Sequence, residues 1–155
     1  MITNVKGEFR KFDAKVTSSG NNFSIAKVAV SIDTASIFTN NDDRDNHLRS
    51  ADFFEVEKFP EIKFESTAFE KLDEQAYKLT GILTIREVSK EITLDVEFGG
   101  VIKDPWGNDK AGFSVSGTIN RRDWGLNWNA ALEAGGVLVS EEVRINAEVQ
   151  FVRLV

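Results

Sequence analysis

Tyr77-Lys78-Leu79-Thr80-Gly81-Ile82-Leu83-Thr84-Ile85, followed after a short polar break by Ile92-Thr93-Leu94-Asp95-Val96-Glu97-Phe98, decides how this chain folds. In the first run Tyr77, Leu79, Gly81, Leu83 and Ile85 share one face. In the second, Ile92, Leu94, Val96 and Phe98 oppose Thr93, Asp95 and Glu97. Strict period two with one apolar face is the mark of a half-buried antiparallel strand. Upstream, Ile62, Phe64, Ser66 and Ala68 lead into the polar stretch 71–75 and predict a hairpin with the first run. Further out, Ala26, Val28, Val30 and Ile32 oppose Lys27, Ala29, Ser31 and Asp33, and Phe12, Ala14 and Val16 repeat the pattern before a turn at 18–22. Downstream, Gly99 and Gly100 are expected to end the second run, because positive φ is cheap at glycine. Ala111, Phe113, Val115, Gly117 and Ile119 follow a turn at 104–108, and Val143, Ile145, Ala147, Val149 and Phe151 close the pattern.

Two segments break the alternation. Residues 40–50 are polar and charged, with Asn40 or Asn41 placed to cap a short helix and Asp42 and Asp43 suited to its first turn. Residues 120–133 crowd Trp124, Leu126 and Trp128 together without a clean period, which predicts a loop with a helical turn packed against or into the core. No tandem repeat or linker divides the chain, so one domain is expected over 1–155. The fold class that follows is all-β: an antiparallel barrel with one or two short helices, closed so that no edge strand is left bare. Small residues on the inward set, Gly81, Gly117, Ala68 and Ala147, fit either a hollow interior or a solid one in which they face bulky partners.

Composition narrows the function classes. With Lys and Arg numbering 19 against 25 Asp and Glu, the net charge of −6 disfavours a phosphate backbone, and nucleic acid is not an expected partner. No cysteine is present, which excludes thiol catalysis, disulfides and thiolate metal sites. No apolar run approaches the length of a membrane helix, so no integral membrane segment is expected. Neither does the start of the chain read as a secretory leader, which points to the cytoplasm, or to the periplasm if a signal lies upstream.

The chain has 1 histidine, His47, within a charged segment that also holds Asp42, Asp43, Arg44 and Asp45. Ser50 lies on the same side of a helix as His47, but no strained nucleophile turn surrounds it. A solitary histidine with scattered carboxylates lacks the spacing of a metal site, and the acidic run lacks the glycine and glutamate of a calcium loop. The pairs Gly99-Gly100 and Gly135-Gly136 lack the context of a phosphate loop and read as hairpin turns. Arg121 and Arg122 beside Trp124 suit stacking on nucleobases, which the net charge of −6 disfavours, or contact with an anionic head group, unless Arg122 simply pairs with Asp123 or another acid.

Four stretches in order carry a resemblance. Thr39-Asn40-Asn41-Asp42-Asp43-Arg44-Asp45-Asn46-His47-Leu48-Arg49-Ser50-Ala51-Asp52-Phe53-Phe54, then Gly81-Ile82-Leu83-Thr84-Ile85, then Asp104-Pro105-Trp106-Gly107 with Gly112-Phe113, and finally Ile119 through Trp128 with Gly135-Gly136 leading to Val143, together resemble the YceI-like polyisoprenoid-binding family. The resemblance implies a lipocalin-like β-barrel whose interior holds a long isoprenoid chain, a polyprenyl lipid or an isoprenoid quinone. It also implies that Leu79, Leu83, Ile85, Phe113, Val115 and Ile119 line that interior, with Phe53, Phe54, Trp124 and Trp128 at its ends and Arg44 and His47 at one mouth. By family standards the first strand is absent, so the seam is expected to stay open, to be filled by another segment, or to pair two chains into a homodimer. The turn 86–91 also departs from the family pattern, which has glycine near Glu87 and proline near Glu91.

Three functions follow from these readings. The first is a non-enzymatic carrier or store for an apolar isoprenoid lipid, without a cofactor or metal. The second is an enzyme at the barrel mouth in which His47 works with Asp45 or Asp43. The third is an interaction module with a solid core and an edge that recruits a partner strand.

Overall fold

The computed structural model describes residues 5–19, 22–129 and 139–152. Its scaffold is one seven-stranded antiparallel sheet, curled into a half-barrel. The strands are β2 (Phe12–Ser19), β3 (Asn22–Asp33), β5 (Glu61–Lys71), β6 (Ala76–Ile85), β7 (Val88–Lys103), β8 (Asp109–Asn120) and β9 (Glu142–Val152), each hydrogen-bonded to the next. Two short strands, β1 (Glu8–Phe9) and β4 (Ile37–Phe38), form a separate ladder. Helix α1 (Asp42–Arg49) joins β4 to the sheet, and a 3-10 turn covers Arg121–Trp124.

The period-two pattern becomes a face. Along β6, Tyr77, Leu79, Gly81, Leu83 and Ile85 are all buried. They meet Ile62, Phe64 and Phe69 of β5 and Leu94 and Val96 of β7 in a single core that also takes in Phe113, Trp124 and Leu126. Of the four small residues expected to point inward, Ala68 and Ala147 are exposed, while Gly81 and Gly117 are matched to large neighbours. At Gly81 an added Cβ would lie 2.5 Å from both the Glu65 carbonyl oxygen and the Phe64 ring, and at Gly117 it would overlap the Leu94 side chain. At both positions the interior is filled.

Gly81→Ala is therefore expected to destabilise the domain by about 1–3 kcal/mol through overpacking. Because one of the colliding atoms is backbone, side-chain rearrangement alone does not relieve it. Chemical denaturation of the variant against the wild type measures this, and an unchanged midpoint would contradict the packing described.

Two turns differ from the sequence reading in informative ways. Gly99 and Gly100 do not end the second run: β7 continues to Lys103, with the register slipping between Phe98 and Gly100, and Gly100 takes φ 106°. The pair is a bulge that bends a long strand. The reversal comes later, at 104–108, where the Asp104 carboxylate accepts the N–H groups of Trp106 and Asn108. Between β6 and β7 only Arg86 and Glu87 make the turn, Arg86 at φ 56°, and its guanidinium meets Glu55 at 3.1 Å. Gly135 and Gly136 lie outside the described residues.

Among the described residues no ladder joins β2 to β9, so these two strands are the edges of the described sheet and nothing described closes the seam. The strands also fork internally. Beyond the pair Asp95 and Ser116, β7 continues with β6, while residues 117–120 of β8 continue with β9.

Candidate functional site

Curling divides the concave face into a dry centre and two wetter wings. At the centre Leu79, Leu83 and Ile85 are 5%, 7% and 5% exposed, Phe113 is 9% and Trp124 2%, values of core packing. Trp124 also spends its polar atom, since its indole N–H donates to the Leu83 carbonyl at 2.9 Å. Four of the expected lining residues, Leu79, Leu83, Ile85 and Phe113, and the end residue Trp124 are thus buried in the core. Val115 and Ile119 are only partly buried. So are Phe98, Ala111, Val149 and Phe151 on one wing, and Val16, Val28, Val30 and Ile32 on the other. The rings of Phe98 and Phe113 lie 5.2 Å apart and those of Phe113 and Phe151 6.0 Å, an aromatic row running from the core to the free edge of β9.

The wings make a half-open apolar trough. A cleft of about 610 Å³ runs from the start of β6 across β7, β8 and β9, with a mixed lining that includes Asp95, Glu97, Ser114 and Asn146 together with Val96 and Val115. A second, of about 430 Å³, opens at the fork and is lined by Ile92, Thr93, Thr118, Ile119 and Trp124.

At one end the charged segment folds into a strap. Asn41 caps α1 by accepting the Arg44 N–H at 3.0 Å. Asp45, 3% exposed, accepts from the Thr39 N–H at 2.9 Å and from the Thr39 hydroxyl. Arg44 donates to the Thr39 hydroxyl and carbonyl at 2.7 and 2.6 Å. Arg44 and Asp45 therefore hold the loop before the helix.

His47 stands apart from them. Its Nε2 lies 2.8 Å from Asp52 Oδ2, and its ring packs edge-on to Phe53 and Trp128 at 5.1 and 4.5 Å. The partner is Asp52, not Asp43 or Asp45, because Asp45 is already committed to Thr39 while the turn after the helix brings Asp52 back beside the ring. Ser50 donates its hydroxyl to the His47 carbonyl at 2.5 Å and so caps the helix. Phe54 points elsewhere, packing on Phe9 at 5.6 Å. Among the described residues no group of three or more His, Asp or Glu converges to hold a metal ion.

Against this geometry stand the comparisons with known proteins. The YceI-like domain matches residues 1–151. A UPF0312 protein of Staphylococcus aureus (strain bovine RF122 / ET3-1) is 43% identical over 97% of this chain and 86% of its own length, and one from strain N315 is equally similar. The crystal structure of the Campylobacter jejuni YceI protein superposes with TM-score 0.88 at 37% identity, covering 99% of this chain and 88% of that one. This chain belongs to the YceI-like family. Burkholderia cenocepacia BcnA, at 21% identity and TM-score 0.79 over 94% of this chain and 86% of its own, shares the fold. The family description and the names of the S. aureus relatives carry no enzymatic activity.

In this YceI-like domain the paired arginines divide their work. Arg121 is 4% exposed and donates to the carbonyls of Leu126, Val139 and Ser140, tying the segment before β9 to the end of β8. Burial pulls its guanidinium below the ordinary value, Glu141 opposes that shift, and Arg122 adds to it. Arg122 pairs with Glu141 at 2.9 Å, and that hydrogen bond holds the Glu141 carboxyl below its usual range. Neither arginine is spare for a ligand. Arg121→Met is expected to cost about 2–3 kcal/mol, because it leaves buried carbonyls without donors. Thermal unfolding tests this; a variant as stable as Arg122→Met would show that the clamp adds nothing.

Proposed function

We propose that the domain binds a long-chain isoprenoid lipid, a polyprenyl lipid or an isoprenoid quinone, and carries or stores it without chemical conversion. One observation carries this reading: the wings of the concave face present apolar side chains that are only partly buried, with Val115, Ile119, Val149 and Phe151 on one side and Val28, Val30 and Ile32 on the other. Covering such a surface is favourable by about 0.8 kcal/mol for each CH₂ removed from water, so a chain of repeated isoprene units binds with few polar contacts. A short apolar ligand gains too little. At the strap end, His47 with Asp52, Phe53 and Trp128 supplies a polar and aromatic contact for a head group.

The open edges of β2 and β9 bear on partners. A homodimer closing them would complete the trough, since unpaired edges template strand addition. Titration of the purified protein with a long-chain quinone and with a quinone lacking the isoprenoid tail tests the reading. Saturable binding of the first alone is the expected result; equal binding of both would move the site to the strap end and remove the trough from the account.

A further inference from the structure

The tip of the β7–β8 hairpin exposes apolar side chains on both faces and at the turn, beside the exposed cross-strand pair Lys103 and Asp109. Trp106, in the turn, is 81% exposed, and Val101 and Ile102, on β7, are 56% and 60%. Being consecutive on a strand, Val101 and Ile102 point to opposite faces of the sheet. Val101 shares its row with Ala111 and Phe151, so the trough's apolar face runs out to the tip. Ile102 shares the opposite row with Lys110 and with Val152, itself 46% exposed.

We infer that this hairpin tip immerses in the interfacial region of a lipid bilayer, from which the trough takes up its ligand. A protein partner would meet one face of the hairpin, whereas apolar groups on both faces and at the turn suit a surrounding medium. Tryptophan is the side chain enriched at membrane interfaces, where an apolar ring and a polar N–H are both accommodated. The turn is also prepared for a poorly hydrated setting. The backbone N–H groups of Asp104, Trp106, Gly107 and Asn108 are all bonded within the turn, and Pro105 has none. The Asp104 carboxylate is met by Lys110 at 3.6 Å. Lys103 has the stem length to keep its ammonium among head groups. With a chain charge of −6, attraction to anionic lipid is not the driving force, and zwitterionic membranes are the expected target.

The ligand taken up rests on the function proposed above; the docking does not, and the test separates them by using vesicles of phosphatidylcholine without isoprenoid. Flotation of the full chain with such vesicles is expected to bring the protein up with the lipid equally at low and high salt. Ile102→Ser with Trp106→Ser, both at exposed positions, should lower the bound fraction about tenfold or more while leaving thermal unfolding unchanged. Brominated acyl chains should quench wild-type tryptophan fluorescence, and this reading needs no variant. Wild-type protein left below the lipid, a variant that floats as well as the wild type, absence of quenching, or a self-association in lipid-free solution that the double variant abolishes would each overturn the inference.

Discussion

Trp124→Ala is expected to remove about 3–5 kcal/mol of stability, a large share of what a domain of this size has. Trp124 is 2% exposed at the end of β8, where that strand has left β7, and its indole reaches across to the Leu83 carbonyl of β6 at 2.9 Å. Its ring packs into the shared core at the fork. Truncation creates a cavity at a point where no ladder hydrogen bonds hold β7 to β8, and it leaves the Leu83 carbonyl without the indole donor. Trp124→Phe keeps most of the volume and loses the donor, so it should cost about 1–2 kcal/mol. Denaturant unfolding of the pair measures both contributions. Equal small losses would mean that the fork is held elsewhere.

The second large effect concerns binding. Val149→Asp with Phe151→Asp places carboxylates on the trough face of the free edge strand, where these side chains are partly buried. With about 1.5–3 kcal/mol attached to burying each large apolar side chain, affinity for a long isoprenoid should fall by about 100-fold or more. Partial exposure makes the substitutions tolerable to the fold, and circular dichroism confirms that before binding is read. The milder Phe151→Ser should retain the fold and lose about tenfold. Undiminished affinity in both variants would place the ligand outside this wing.

Much of this architecture was legible in the alternation. The runs at 77–85 and 92–98 became the adjacent strands β6 and β7, and Asn41 caps α1 as its position before Asp42 and Asp43 suggested. What period two does not encode is a strand's place in the sheet. Leu79, Leu83 and Ile85 carry the same pattern as Val149 and Phe151, yet β6 is central and dries completely while β9 is an edge and stays half-open. Period two alone therefore does not separate the expected lining residues that are fully buried, Leu79, Leu83, Ile85 and Phe113, from those left partly exposed, Val115 and Ile119. Gly99-Gly100 misled for a related reason, since glycine's freedom serves a bulge as readily as a turn, and only the pairing register separates them. His47 was recognised as notable, but its partner, Asp52, depends on how the chain doubles back after the helix, which local spacing does not set. The exposed hairpin tip was present as Val101, Ile102 and Trp106, and only solvent exposure set it apart from core.

Whether the half-open concave face holds a long apolar chain is decided by native mass spectrometry of the purified domain, followed by organic extraction of whatever leaves it. The expected result is a stoichiometric adduct whose extract is an isoprenoid lipid, or an apo protein that takes up one equivalent on incubation with a long-chain quinone or polyprenyl lipid. An unliganded mass unchanged by that incubation would contradict it.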